Sequence, residues 1–218
     1  MDNDHFDYFT WFNSEATEEE KALSIKAGTF EPYFKDMVFD EGSASHNLIM
    51  AKSYTNENPE LEDEELDYMI PEELQYFNPQ CIKYKIEERD DCNGYYSHQD
   101  KTLCVVPSCM NSDSTLLHEL IHAYEHVLNE QPMYFHDSLY WVLYQKLKKC
   151  IPDLDEIITE HAYVLTGSTL YIEGGVHDIL FLLKSFDLDI QCGYSLGTVF
   201  GYGRTDDFAG YTYDKEKY

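Results

Sequence analysis

Residues 115–126, Thr-Leu-Leu-His-Glu-Leu-Ile-His-Ala-Tyr-Glu-His, contain the pattern on which the fold depends, H-E-x-x-H, formed by His118, Glu119 and His122. On an α-helix, residues four apart lie on the same face, about one turn from each other. Two imidazoles at that spacing can hold one zinc ion. Zinc lowers the pKa of a water molecule that it binds, and a neighbouring carboxylate can accept the proton. The pattern therefore predicts a Zn2+ site with Glu119 as the general base.

The residues around the motif predict a buried helix. Apolar side chains recur at helical spacing, at Leu116, Leu117, Leu120, Ile121, Tyr124, Val127 and Leu128. The helix is predicted to start after residues 112–114, which can cap it, and to end near Asn129. Two histidines and a glutamate buried in such a helix need a partner, which a metal ion supplies. The alternative is a pair of core histidines bonded to backbone groups, with Glu119 at the surface.

Length and charge limit the classes of function. A chain of 218 residues suits one domain, or one domain with an extension. Its formal charge of −27 opposes nonspecific binding to nucleic acid or to an anionic membrane, since both would repel it. The same charge favours a basic protein or peptide partner, or serves only to keep the protein soluble. We therefore expect neither direct nucleic-acid binding nor membrane binding.

The lack of a recognisable targeting signal in this sequence and the pattern of its cysteines predict a cytoplasmic protein. The first residues lack the basic region and the apolar stretch of a signal peptide, and no apolar run is long enough to span a bilayer. The six cysteines contain no C-x-x-C pair, so the sequence does not predict a zinc ribbon. Reduced thiols are expected at Cys81, Cys92, Cys104, Cys109, Cys150 and Cys192.

The charge pattern divides the chain near residue 74. Residues 1–74 contain 20 acidic and 4 basic residues and are predicted to form an acidic, partly helical N-terminal extension, with helices over 18–27 and 31–39. Its first aromatic residues either dock on the main domain or belong to a regulatory arm. Residues 75–218 are predicted to form the zincin-like domain.

The rest of the chain predicts a small sheet followed by helices. Residues 82–86 alternate apolar and polar side chains as a half-buried strand does, and residues 95–96 and 103–106 are typical of further strands. The Asp91-Cys92-Asn93-Gly94 cluster predicts a tight hairpin turn. Helices are expected over 138–150, 154–165 and 177–186, and the glycine-rich and tyrosine-rich tail, 193–218, is expected to be irregular. The predicted fold class is α+β.

A catalytic zinc ion needs a third protein ligand. His126 lies another turn, about 6 Å, along the helix from His122, too far for a straight helix to bring it to the same ion. His136 follows the end of the helix, where a turn can return the chain. Glu160 and Glu156, on the helix predicted over 154–165, are the competing ligands. Tyr134, Tyr140 or Tyr163 could donate to the oxyanion, but the sequence does not select one of them.

Two short segments carry a resemblance to known enzymes. His118-Glu119-Leu120-Ile121-His122-Ala123-Tyr124 and His136-Asp137-Ser138-Leu139-Tyr140-Trp141 resemble motifs of SprT-like and WLM-type zinc metallopeptidases. ImmA/IrrE-like peptidases have a similar strand and helix arrangement. The resemblance implies that His118, His122 and His136 are the zinc ligands and that Glu119 is the catalytic base. Asp137 stands where SprT-like proteins carry glycine, and neither their zinc ribbon nor their basic stretch is present, so their role at DNA is not implied.

The sequence thus predicts an intracellular zinc metalloendopeptidase of the H-E-x-x-H class, acting on a protein or peptide substrate. The alternative is an acidic interaction protein, or a nucleic-acid mimic, built on a zinc-peptidase fold. An intact set of His118, Glu119 and His122 favours the enzyme, because a protein that only binds does not need the general base.

Overall fold

Helices pack with a three-stranded mixed sheet and a two-stranded sheet in a computed structural model that describes residues 8–34, 77–79, 82–129, 133–164, 170–172 and 177–218. The helices of the described part are α1 (Tyr8–Thr10, continued by a π-helical turn over Trp11–Glu15), α2 (Glu18–Gly28), α3 (Glu31–Phe34), α4 (Asp113–Asn129), α5 (Met133–Cys150), α6 (Leu154–His161) and α7 (Ile179–Cys192). The strands are β1 (Lys83–Ile86), β2 (Gly94–Ser97), β3 (Thr102–Val105), β4 (Ala162–Val164) and β5 (Leu170–Ile172). Short 3-10 turns lie at Pro107–Cys109, Asp206–Phe208 and Lys215–Lys217. The predicted α+β class is confirmed.

Helix α4 carries the motif and has the predicted limits. Its start is capped by Ser112, whose hydroxyl accepts a hydrogen bond from the Thr115 N–H (3.3 Å). The apolar stripe is buried as expected, including Leu116, Leu117, Leu120, Ile121, Tyr124 and Leu128. The helix ends at Asn129. The periodicity of the sequence therefore predicted both its position and its burial.

The three-stranded sheet has the order β1-β3-β2, which corrects the predicted hairpin. Strand β1 pairs in parallel with β3, and β2 pairs antiparallel with β3, so β1 and β2 are not neighbours. The turn at residues 91–94 is therefore not a hairpin turn. Gly94 is instead the first residue of β2, opposite Val105. A glycine is required there for a close contact with helix α4, which explains why an Asn-Gly pair is misleading at this position.

Helix α7 is the centre of the hydrophobic core. Every residue from Ile179 to Ile190 is buried, including Lys184 and Asp187, which form an ion pair (3.0 Å). A helix that is apolar on nearly all sides is expected to lie inside a protein. Its predicted range, 177–186, was too short at its end and began two residues early.

Helices α5 and α6 also depart from their predicted ranges. Helix α5 begins at Met133 rather than at residue 138. Helix α6 stops at His161, and the predicted continuation to residue 165 is wrong, because Ala162–Val164 form strand β4, which pairs antiparallel with β5. Aromatic and β-branched residues at 163 and 164 favour a strand once a partner strand is available.

Part of the acidic N-terminal segment packs on this core. The predicted helix over 18–27 is confirmed by α2, whose capping box joins Thr17 and Glu20. The buried ring of Trp11 lies 6.4 Å from that of Tyr84 on β1. Phe9 is exposed. Residues 35–76, which include the end of the second predicted helix, lie outside the described residues.

Five cysteines lie in the described residues, at Cys92, Cys104, Cys109, Cys150 and Cys192, and all five are free thiols. None of the described helices combines the length and the apolar character that crossing a bilayer requires.

Candidate metal centre

Helix α4 places His118 and His122 on one face, with ring centroids 5.3 Å apart. His118 and Glu119 are fully buried, and His122 is partly buried. Helix α7 covers this face, since the Phe181 ring lies 4.7 Å from the His118 ring and 4.6 Å from the His122 ring. The two histidines therefore lie between two packed helices.

His177 completes a group of three histidines. It lies immediately before the N-cap of α7, Asp178, whose carboxylate accepts a hydrogen bond from the Phe181 N–H (2.9 Å). Nε2 of His177 is 3.1 Å from Nε2 of His118, and the His177 ring stacks on that of His122 with centroids 5.1 Å apart. One nitrogen from each of the three rings lies within 4.8 Å of the others. This buried group could hold a metal ion.

A backbone contact fixes the tautomer of His118. A carbonyl oxygen only accepts, so Nδ1 of His118 donates its proton to the Val199 carbonyl, 3.0 Å away. Nε2 of His118 therefore carries a lone pair, and it is the atom that faces His177. Metal-binding histidines are oriented in this way, with the second ring nitrogen held by a carbonyl or a carboxylate. Glu125 could orient His122 in the same way, since its Oε2 lies 3.6 Å from Nδ1 of His122.

Burial keeps all three imidazoles neutral. Loss of solvent lowers the pKa of His122 to about 3 and that of His177 to about 4. For the same reason the pKa of His118 lies well below its ordinary value, and the nearby His177 and His122 lower it further. Neutral imidazole is the form that binds a metal ion. At neutral pH the three rings are therefore ready to bind without losing a proton.

Glu119 has one oxygen that is hydrogen-bonded and one that is not. Oε1 accepts a hydrogen bond from the Tyr202 hydroxyl (3.0 Å). Oε2 is buried and has no hydrogen-bond partner among the described residues. Burial raises the pKa of Glu119 to about 8, which the bond from Tyr202 opposes. A buried oxygen without a partner is unfavourable unless something reaches it, and a nearby cation would favour the charged carboxylate.

The sheet leaves room for Glu119 at Gly94. A Cβ atom on Gly94 would lie 2.9 Å from the Cys104 carbonyl oxygen, 3.0 Å from Glu119 Cγ and 3.1 Å from Glu119 Oε1. A side chain here would have to displace either backbone or the carboxylate. The glycine therefore allows β2 and the carboxylate on α4 to approach each other closely.

Tyr202 covers the site from the C-terminal tail. Its ring stacks on that of His118 with centroids 3.9 Å apart. Its backbone has φ +54°, a left-handed conformation that is unfavourable for a bulky residue. Gly203, with φ +89°, follows it, and a Cβ on Gly201 would lie 2.1 Å from the Arg204 carbonyl oxygen. The strained tyrosine is thus held by a turn that its neighbouring glycines make possible.

A buried carboxylate on α7 anchors this turn. Oδ2 of Asp189 accepts a hydrogen bond from the Gly197 N–H (2.8 Å), and Oδ1 accepts one from the Val199 N–H (2.9 Å). Burial raises the pKa of Asp189 to about 8, although these backbone donors lower it. Helix α7 therefore connects two parts of the site. His177 lies just before its start, and Asp189, near its end, holds the turn that carries Val199 and Tyr202.

The site opens into a cleft of about 710 Å³. Glu119, His122, His177 and Tyr202 line it, together with the connection between β1 and β2, the edge strand β2 and Arg204. A molecule in this cleft would contact the glutamate and two of the three histidines.

No known protein family matches the chain, and neither a curated protein nor a solved structure is significantly similar to it. The short motif and the geometry of the described residues are therefore the features of this chain that bear on its function.

Of the third ligands considered from the sequence, Glu156, Glu160 and His126 do not join the described group, and His136 is not tested. His136 lies near the start of α5, and its side chain is outside the described part of the structure, so its role stays a prediction. Glu156 and Glu160 are exposed on α6, and Glu160 accepts a hydrogen bond from a tyrosine of the tail (2.6 Å). His126 is bonded through Nδ1 to the Tyr96 hydroxyl (3.0 Å), away from the three-histidine group.

The sequence did not indicate His177 or Tyr202 as site residues. His177 was predicted only as the first residue of a helix, and Tyr202 only as part of an irregular tail. Two weak signals were present: His177 directly precedes Asp178, a strong N-cap residue, and Tyr202 stands between two glycines. Neither signal indicates which distant residue it would meet.

Proposed function

We propose that this protein is a zinc-dependent endopeptidase with a zincin-like fold, acting on a protein or peptide substrate. The observation that supports this most strongly is the approach of His118, His122 and His177 to within 4.8 Å, beside the unpartnered oxygen of Glu119. Three neutral imidazoles with a fourth position left open are a donor set of catalytic zinc sites. The resemblance of residues 118–124 to zinc peptidases supports the same proposal, with His177 as the third ligand in place of His136.

Glu119 performs the proton transfers in this proposal. A bound zinc ion supplies Lewis acidity, which polarises a carbonyl group and acidifies water. Oε2 of Glu119, the oxygen without a partner, accepts the proton of the attacking water, and the carboxyl group returns it to the leaving amine. Tyr202 holds Oε1, so the carboxylate keeps one orientation throughout. Tyr202 is therefore a positioning residue for Glu119.

The cleft is suited to an extended peptide. Strand β2 lies at the edge of the sheet and lines the cleft together with Glu119. An edge strand offers unpaired backbone groups to which a peptide can add as a further strand. A peptide placed there would run past the proposed base, which is the arrangement that cleavage within a chain requires.

Metal content tests the proposal. We would measure zinc by mass spectrometry in the wild-type protein and in the His177→Ala and His136→Ala variants. We expect about one zinc per chain in the wild type and in His136→Ala, and little in His177→Ala, because a removed imidazole leaves only two of the three donors. Circular dichroism would establish that each variant is folded.

The opposite outcomes are informative. Zinc retained in His177→Ala and lost in His136→Ala would return the third ligand to His136. A wild-type protein that binds no metal even when zinc is supplied would overturn the proposal, and the acidic interaction protein would then be the better account of the −27 charge.

A further inference from the structure

The chain contains only two arginines, and both line the candidate cleft. They are Arg89, on the connection between β1 and β2, and Arg204, on the turn that carries Tyr202. The same lining contains three carboxylates, Asp90, Asp91 and Glu119, so the charge that a ligand meets depends on which arginine is already paired. Guanidinium groups bind carboxylates through two parallel hydrogen bonds.

Arg89 is already engaged. Its Nε and one terminal nitrogen donate to the two oxygens of Asp91, at 2.8 Å and 2.7 Å. Its guanidinium also lies over the Tyr95 ring, 4.8 Å from the centroid. The pair is electrically neutral and leaves Arg89 with little capacity for a second carboxylate.

Arg204 has no such partner. Its side chain is exposed, and no carboxylate of the described residues forms an ion pair with its guanidinium, although Asp206 and Asp207 follow closely in the sequence. Several described lysines form ion pairs, as Lys26 does with Asp113 and Lys148 does with Asp155. With no carboxylate partner among the described residues, the Arg204 guanidinium is available for a carboxylate that arrives with a ligand.

The backbone around Arg204 is fixed close to the proposed reacting groups. Its N–H donates to the Gly201 carbonyl (3.0 Å), and the Gly203 N–H donates to the Thr198 carbonyl (2.7 Å). Two residues span at most about 7 Å, so the Arg204 backbone lies within that distance of Tyr202, whose side chain contacts Glu119. Because this turn is held in place, the Arg204 side chain extends from a fixed point near Glu119, the proposed general base.

We infer that Arg204 determines specificity by binding a carboxylate of the substrate beside the scissile bond. The substrate class is a peptide with an aspartate or glutamate side chain there. The inference rests on the proposed peptidase function. It is compatible with a substrate that is basic overall, since the protein's net charge acts at long range and Arg204 acts by contact.

Asp90 is the remaining charged residue of the rim, and it opposes Arg204. It is exposed, lines the same cleft and is the sequence neighbour of Arg89. Its removal should strengthen the preference for an acidic substrate, whereas removal of Arg204 should abolish it. The two residues therefore provide changes of opposite sign in one cleft.

A peptide library tests the inference. The wild-type protein, Arg204→Gln and Lys149→Gln would each be incubated with a library of natural peptides, and the cut sites would be read by mass spectrometry. Lys149 is the control, because it is exposed, loses the same charge and does not line the cleft. A repeat with synthetic peptides whose C-termini are amidated would exclude a terminal carboxylate as the group that Arg204 binds.

We expect acidic residues to be enriched near the cut sites of the wild type and of Lys149→Gln, but not of Arg204→Gln. For matched peptides that differ as Glu against Gln, kcat/KM should favour Glu by roughly 3- to 10-fold in the wild type, since exposed ion pairs are weak. The ratio should fall to about one in Arg204→Gln, rise in Asp90→Asn and reverse towards Lys in Arg204→Glu.

Cleavage without an acidic preference, or a preference that survives in Arg204→Gln, would overturn this inference and leave the peptidase intact. A wild-type protein loaded with zinc that cleaves no peptide would overturn the peptidase itself, and the inference with it.

Discussion

Helix α4 and the C-terminal tail, residues 193–218, build the same site by different means. The helix holds its residues by regular backbone hydrogen bonds and by an apolar stripe that sequence periodicity reveals. The tail has little regular structure, and its turn is held by single contacts such as those from Asp189 to Gly197 and Val199. The helix brings His118, Glu119 and His122, whereas the tail brings the groups that orient them.

The two regions differ in role: helix α4 supplies the chemical groups of the site, and the tail positions them. A helix places residues four apart on one face wherever it occurs, so its part of the site depends on local sequence. The tail reaches His118 and Glu119 from more than 80 residues away, and its contacts depend on the whole fold. We therefore expect changes in the helix to remove chemistry, and changes in the tail to weaken chemistry that is still present.

The largest effect is expected from Glu119→Gln on the helix. An amide cannot accept the proton, so turnover should fall by roughly 10²- to 10⁴-fold, while zinc, held by the histidines, should stay bound. Peptide cleavage and metal content would be measured on the same sample. Undiminished turnover would show that Glu119 is not the base.

Tyr202→Phe tests the tail's part at the same carboxylate. Loss of a hydrogen bond to a charged group should lower kcat/KM by roughly 10- to 100-fold. Tyr211→Phe is the matched control, since that tail hydroxyl bonds the exposed Glu160 instead.

A double variant sharpens this test. If Tyr202 acts through Glu119, adding Tyr202→Phe to Glu119→Gln should reduce turnover much less than it does in the wild type. Two independent, additive effects would contradict a positioning role, and so would equal losses in Tyr202→Phe and Tyr211→Phe.

Asp189→Asn tests the link between helix α7 and the tail. The amide nitrogen cannot accept a hydrogen bond, so one buried backbone N–H loses its partner, at a cost of about 1–3 kcal/mol in the free energy of unfolding. Urea denaturation would measure this, with the exposed Asp206→Asn as the control. Activity should also fall, because Val199 and Tyr202 lie on the loosened turn. Unchanged stability would show that the turn does not depend on this carboxylate.

The smallest effect on activity is expected from Tyr218→Phe. The Tyr218 hydroxyl bonds Asp187 and Lys146, far along the tail from Tyr202. The ring contact with Lys146 Nζ, 3.7 Å from the ring centroid, survives in phenylalanine. Because the lost hydrogen bond is to a buried, ion-paired carboxylate, we expect a loss of about 1.5–3 kcal/mol in the free energy of unfolding with kcat/KM unchanged. A large loss of activity would mean that the whole tail moves as one unit with the site.

The sequence predicts those parts of the molecule that local pattern determines. The limits and buried face of α4 and the existence of β1, β2 and β3 follow from periodicity. The pairing of β1 with β3 does not, because Gly94 suggested a turn when it was needed for the approach of Glu119.

The third histidine and the tyrosine show the same limit at the site. His177 lies 59 residues after His118 and has no fixed spacing from the motif. Tyr202 is one of 19 tyrosines, and its strained backbone is visible only in three dimensions. Contacts between distant residues have no periodic signature, so the sequence favoured His136, with Glu160 and Glu156 as the competing ligands.

Lys184 has a consequence for how the protein can be divided. This lysine is 2% exposed, and its Nζ donates to the Tyr33 carbonyl (2.9 Å) as well as to Asp187. A chain shortened to begin at residue 75 would leave a buried ammonium group without that carbonyl and would remove the Trp11 and Phe34 rings from the core. The acidic segment is therefore not a detachable module that could be deleted or transplanted. Charge marks a boundary near residue 74, but the packing of side chains extends across it.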